Sequence, residues 1–139
     1  MKLERLFYAK NAKLYKIDGN EVSLEGKSFP IKWSEIEPVE EEYNEDFLAK
    51  LRNKLKEFEE KEKFVFIEPL FDKEGNFTQF TAAMKHTARR IKDCISVIGF
   101  AIPNEIFENR AFYMGELSAK HAHYCFFCKK VADDNVVLY

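Results

Sequence analysis

The chain has 139 residues with 22 basic and 24 acidic side chains, a formal net charge of −2. That balance provides no basic field to hold a phosphate backbone and argues against a dedicated nucleic-acid binder. At 46% hydrophobic and 33% charged residues the composition is that of a globular chain rather than a disordered one, and the length fits a single domain over 1–139.

Aromatic residues reach 15%, with 14 Phe against one Trp, so the expected core is Phe packed on aliphatic side chains. Cys94, Cys125 and Cys128 are too few, and odd in number, for a disulfide framework. The opening MKLERLFYAK has no apolar signal core, and no segment approaches a membrane span in length. The expected setting is therefore reducing and cytoplasmic, without a membrane partner.

Residues 5–33 read as short strands. Arg5–Lys10 and Lys13–Ile17 carry Phe, Tyr, Leu and Ile between polar breaks. Asp18-Gly19-Asn20 marks a tight turn, because Gly accepts the positive φ such turns need. Glu21–Leu24 follows, then a turn at Glu25-Gly26-Lys27, then Ser28–Trp33. Together these predict an antiparallel meander.

After Pro38 and Glu40-Glu41-Glu42, Asn44 is a candidate N-cap, with Glu45 and Asp46 placed to favour the positive end of a helix dipole. Phe47, Leu48, Leu51, Leu55 and Phe58 make one helical stripe, and the charged run Glu59–Lys63 ends it. Phe64–Ile67, followed by Glu68-Pro69, reads as a strand buried on both faces. Asn76 with Gln79 resembles a capping box ahead of a helix burying Phe80, Ala83, Met84, Thr87, Ala88 and Ile91. Ile95–Ala101 is a second buried strand, closed by Pro103. Residues 110–120 form a third helix with Met114 and Leu117 inward, His121–Cys128 a third strand, and Val136–Tyr139 an edge strand or a docking segment. The fold class is α/β: an N-terminal antiparallel meander joined to a mainly parallel β-α-β-α-β sheet over 63–130.

Two groups of residues carry candidate chemistry. Two of the strands run into acids, one into Glu68 and the other into Asn104-Glu105. In parallel sheets ligands sit at the carboxyl ends of strands, where loops and helix N-termini converge. Glu68 and Glu105 are thus candidate catalytic carboxylates if their strands are neighbours, since burial of one beside an ionised partner makes a general acid. The plainer alternative is that both acids cap or hydrate the helices that follow.

The segment Phe80–Glu105, with Ala88-Arg89-Arg90-Ile91-Lys92-Asp93 leading to a strand that finishes in Asn104-Glu105, resembles the third helix and fourth strand of cellulase-like (family 5 type) glycoside hydrolases. Upstream, Ile17-Asp18-Gly19-Asn20 with Leu24-Glu25-Gly26-Lys27 is similar to that family's opening hairpin, and Ile31–Pro38 to its early strand, so the resemblance spans residues 14–105. It implies a barrel-type architecture and a general acid/base at Glu105, oriented beside Asn104. Three departures qualify it: Ile106 stands where the family has Pro, Glu68-Pro69 replaces the family's usual strand ending, and the strand bearing the nucleophile has no counterpart. What remains implied is a reduced, carbohydrate-binding relative using Glu68, Asn104, Glu105 and Trp33, the last either a ring on which a sugar stacks or, as a lone Trp after a strand, part of the core. A half-barrel leaves sheet edges open, so a homo-oligomer is a further expectation.

The second group is His121-Ala122-His123-Tyr124-Cys125-Phe126-Phe127-Cys128. On a strand, alternation places His121, His123 and Cys125 on one face, where a borderline-soft ion such as zinc takes N and S ligands. Cys128 falls on the opposite face, and the alternative is a buried strand with no cofactor. Lys85-His86 with Arg89-Arg90 is either an anion site or a solvated basic face. Of the functional classes, non-catalytic ligand or protein binding stands first, reduced carbohydrate binding second and metal binding third.

Overall fold

The computed structural model describes residues 3–139. Seven strands and four α-helices follow in chain order: β1 (Phe7–Lys10), β2 (Lys13–Lys16), β3 (Ser28–Lys32), α1 (Trp33–Ile36), α2 (Glu45–Glu60), β4 (Val65–Leu70), α3 (Phe77–Arg90), β5 (Val97–Ala101), α4 (Arg110–Ser118), β6 (Cys125–Cys128) and β7 (Val136–Leu138). A 3-10 helix, Asn104–Asn109, leads into α4. β1 and β2 form an antiparallel hairpin, and β3 to β7 form a parallel five-stranded sheet in sequence order. The fold is α/β, as the alternation of strands and helices predicts.

The helices begin where local chemistry favours them. The Asn44 side chain accepts from Phe47 N at 3.0 Å, and Glu45 and Asp46 occupy the first turn of α2. Leu48, Leu51, Leu55 and Phe58 are its buried stripe. Asn76 caps α3 by accepting from Gln79 N at 2.8 Å. The Gln79 side chain does not return to the cap; its Nε2 donates to Glu37 Oε1 at 3.4 Å.

With the strands in sequence order, crossovers of one hand put every helix on one face of the sheet. There, Val65, Ile67, Val97, Phe100, Ile102 and Phe126 pack on side chains from all four helices. The other face presents Phe66, Ile98, Ala101, Cys125, Phe127 and Val137, and the β1–β2 hairpin covers it with Phe7 and Leu14. Both faces being apolar explains why the strands read as unbroken hydrophobic runs.

Among the boundaries that differ from expectation, three rearrange the fold. The predicted meander reduces to the β1–β2 hairpin, with Glu21 contributing only a bridge to Tyr15. Ser28–Lys32 leaves it to pair in parallel with β4, register Ser28↔Phe66 to Lys32↔Leu70, because its alternating apolar side chains serve the helical face of the large sheet. The predicted strand over His121–Cys128 begins only at Cys125. His121 N still donates to Leu117 O, as the end of α4 dictates, and Tyr124 N then donates to His121 O, so the preceding residues form a turn. Among the described residues no helix is long and apolar enough to cross a membrane.

Candidate functional site

β4 carries Glu68 within the strand rather than after it, and alternation points it to the hairpin face of the sheet, beyond Phe66. The neighbouring β5 runs through Ile102 and Pro103 into Asn104 and Glu105, both exposed in the first turn of the 3-10 helix. Lys129 follows β6 and Tyr139 follows β7. These four strand ends converge on one cleft of about 380 Å³ that both Glu68 and Glu105 line, together with Asp72, Asn104, Lys129 and Tyr139. The volume lies within the range of small-molecule sites, about 300–1,000 Å³.

Glu68 is held from two sides. The Tyr139 hydroxyl donates to Glu68 Oε2 at 2.5 Å, and Lys129 Nζ lies 3.7 Å from the same oxygen and 4.0 Å over the Tyr139 ring. With 19% of its side chain exposed, Glu68 is mostly enclosed, and its Oε1 has no protein partner among the described residues. Burial first, and then the bond to Glu68, push the Tyr139 hydroxyl well above its usual range, so it acts as a donor. Asp72 is committed to the scaffold: its carboxylate accepts from Ser34 N at 2.9 Å and Ser34 Oγ at 2.5 Å, which ties the start of α1 to the loop after β4. Glu105 and Asn104 make no side-chain hydrogen bond to other described residues and stand free at the rim.

Tyr139, Lys129 and Asp72 were not legible as site residues. The run Val136–Tyr139 is recognisable as a strand or docking segment, but its placement against Glu68 is a product of the pairing of β6 with β7.

Trp33 is in the core and not in this cleft. It is 0% exposed, it packs on Phe71 and Phe80 with ring centroids 4.8 and 5.2 Å away, and its Nε1 donates to Glu37 Oε1 at 2.7 Å. The reading of Trp33 as a sugar-stacking residue is corrected: it opens α1, and α3 and the loop after β4 close over it.

The His-x-His-x-Cys group is also dispersed. Alternation requires a strand, and His121 and His123 lie in the turn before β6. His121 lines a recess with Lys85, Arg89 and Lys120, whereas His123 lines a different, apolar recess with Leu6, Phe7 and Ile95. Cys125 is buried under the hairpin, where burial raises its thiol to about 11. Cys128 faces the helical side, opposite Cys125 as predicted. Among the described residues no three His, Cys, Asp or Glu side chains gather as a metal site. The proposed ligand set of His121, His123 and Cys125 is therefore corrected on geometry.

Compared with known proteins, the chain matches no family model, no curated protein and no solved structure.

Proposed function

We propose that this domain is a non-catalytic binding module whose ligand, a small polar molecule rich in hydrogen-bond donors, seats in the cleft at the carboxyl ends of β4 to β7. The observation that carries the reading is the convergence of Glu68, Asn104 and Glu105 from adjacent strands on one cleft. The free acceptors there are Glu68 Oε1, the Glu105 carboxylate and the Asn104 amide oxygen, which suits hydroxyl or ammonium donors. Tyr139 and Lys129 fix the Glu68 carboxylate before any ligand arrives, which lowers the ordering cost of binding. The three buried free thiols support a cytoplasmic, reducing setting.

The test is an NMR titration of the whole chain with a panel of monosaccharides and aliphatic diamines. Chemical-shift changes are expected around Glu68, Asn104 and Glu105, with Glu105→Gln and Asn104→Ala each weakening binding by about tenfold, the loss of one hydrogen bond to the ligand. A panel that leaves the cleft resonances unmoved, or variants that bind equally well, would end the proposal.

A second reading, a carbohydrate-binding domain reduced from a cellulase-like architecture, is favoured by the shared cleft of Glu68 and Glu105 above a sequentially ordered parallel sheet. It differs from the first in selectivity: sugars would bind and diamines would not. The burial of Trp33 removes stacking on that ring from this reading, and hydrogen bonds to hydroxyl groups would carry it.

A further inference from the structure

At the opposite, amino end of the sheet, the C-terminal ends of α3 and α4 meet over the turn that carries His121. The recess between them, about 250 Å³, is walled by Lys85, Arg89, Lys92, Glu116, Lys120 and His121. Lys85 Nζ is paired with Glu116 Oε1 at 3.0 Å. Arg89, Lys92 and Lys120 have no carboxylate partner among the described residues, whereas the nearby cations Arg52 and Arg90 are paired with Asp93 and Glu45. Four cations against one carboxylate leave the lining at +3 with His121 neutral, in a chain whose net charge is −2.

Part of that charge is explained by the fold. A helix C-terminus carries about −0.5 of an elementary charge, so the ends of α3 and α4 together offset about one of the three. About two positive charges remain without a counter-charge, converging on a concave recess rather than spread over a solvated face. The His121 ring, stacked on Tyr124 at 5.1 Å, senses them: burial first, then Lys92, Lys120 and Arg89, hold its pKa below the usual imidazole value. The recess is smaller than the common range of organic-ligand sites, about 300–1,000 Å³, and suits a compact anion.

We propose that this recess binds a phosphate dianion, free or as the end of a small monoester, through Arg89, Lys92 and Lys120 with His121 beside it. Such an ion matches the residual charge and satisfies the three unpaired cations at once. A bound dianion also reverses the field at His121, whose charged and titratable neighbours are Lys85, Arg89 and Lys92 from α3 and its terminal turn, Glu116 and Lys120 from α4, and His123 and Tyr124 from its own turn.

The experiment titrates the whole chain with inorganic phosphate and, separately, glycerol 3-phosphate, with sodium chloride at matched ionic strength as control, following the His121 ring resonances by NMR. Saturable binding is expected with either phosphate, together with an upward move of the His121 titration midpoint by about one pH unit, because the anion favours imidazolium. The double variant Arg89→Gln/Lys92→Gln, at exposed positions outside the core, should bind at least about tenfold more weakly, while Glu105→Gln in the other cleft should bind as well as the parent. Tighter binding of glycerol 3-phosphate assigns the site to monoesters, and equal or weaker binding assigns it to free phosphate. A chloride control that reproduces the shifts, an unmoved His121 midpoint, or an unchanged double variant would overturn the proposal.

Discussion

A carboxylate that is 1% exposed needs hydrogen-bond donors, and Glu37 obtains them from Trp33 Nε1, the Glu41 backbone N–H at 2.7 Å and Gln79 Nε2. Nothing in the acidic run from Glu37 to Glu42 sets Glu37 apart; its burial follows from α1 placing it one turn, four residues, after Trp33, where its backbone N–H donates to Trp33 O. Gly75 completes the arrangement, since a Cβ there would lie 2.5 Å from the Trp33 ring. Replacing Trp33 by Phe leaves one buried carboxylate oxygen short of its best donor, and the expected loss is about 2 kcal/mol of stability in urea unfolding followed by circular dichroism. His123 offers a pH-dependent counterpart. Burial first, then His121 and Arg5, lower its pKa from 6.5 to about 4. The unfolded chain therefore takes up a proton that the folded chain refuses. This contribution is fully present above pH 6.5 and is lost as pH falls toward 4. The parent should lose more stability between pH 7 and pH 5 than His123→Gln, and equal losses would contradict the assignment.

The strands were recognisable as elements because their apolar runs are short and bounded by turn residues, but one of them conceals a fault in its pleat. Val65 pairs with Val97 while Phe66 pairs with Gly99, so β5 carries an extra residue and a bulge at Ile98–Gly99. The bulge explains how Ile98 and Ala101 both reach the hairpin face while Val97 and Phe100 face the helices. Gly99 is required there: an added Cβ would meet the Cys125 carbonyl oxygen at 1.7 Å, against backbone that cannot step aside. Gly99→Ala should separate β5 from β6 and cost on the order of 3 kcal/mol or more, read as a lowered unfolding midpoint. A one-residue shift of this kind leaves no mark in a run such as Val97-Ile98-Gly99-Phe100, where every side chain is apolar or absent. The same blindness applies to the turn before Cys125. Its residues alternate like a strand, yet the end of α4 and two backbone hydrogen bonds hold them as a turn, which disperses His121, His123 and Cys125.

A sheet with all its helices on one side leaves its other face to be covered, and here the chain covers it itself. Phe7 and Leu14 from the hairpin sit on Phe66, Ile98 and Phe127. The hairpin tip also closes one sheet edge: Leu138 N donates to Ala12 O and Ala12 N to Asp134 O, both at 3.0 Å. At the other edge β3 contains Pro30, which has no backbone N–H to offer a further strand and so discourages pairing there. The hairpin therefore covers, within one chain, the sheet face and the β7 edge that motivated an oligomer, and light scattering is expected to report a monomer, with a dimer mass assigning the remaining β3 edge to a second copy. Leu14→Ala, at a position 1% exposed, should cost about 3 kcal/mol and increase binding of a hydrophobic dye as the hairpin loosens.

Composition, alternation and helix caps were enough to establish an α/β chain with a parallel sheet, its helices begun at Asn44 and Asn76, and acids at the carboxyl ends of two strands. Those features are local: a cap, a stripe or a strand is specified within a few residues of itself. What brings Glu68 and Glu105 to one cleft beside Tyr139 and Lys129, sends Trp33 into the core and gathers Arg89, Lys92 and Lys120 around His121 is strand order and crossover geometry. Tyr139 and Glu68 stand 71 positions apart, and no local pattern encodes a contact over that separation. It arises only when the sheet has assembled and burial has selected which polar groups must find partners.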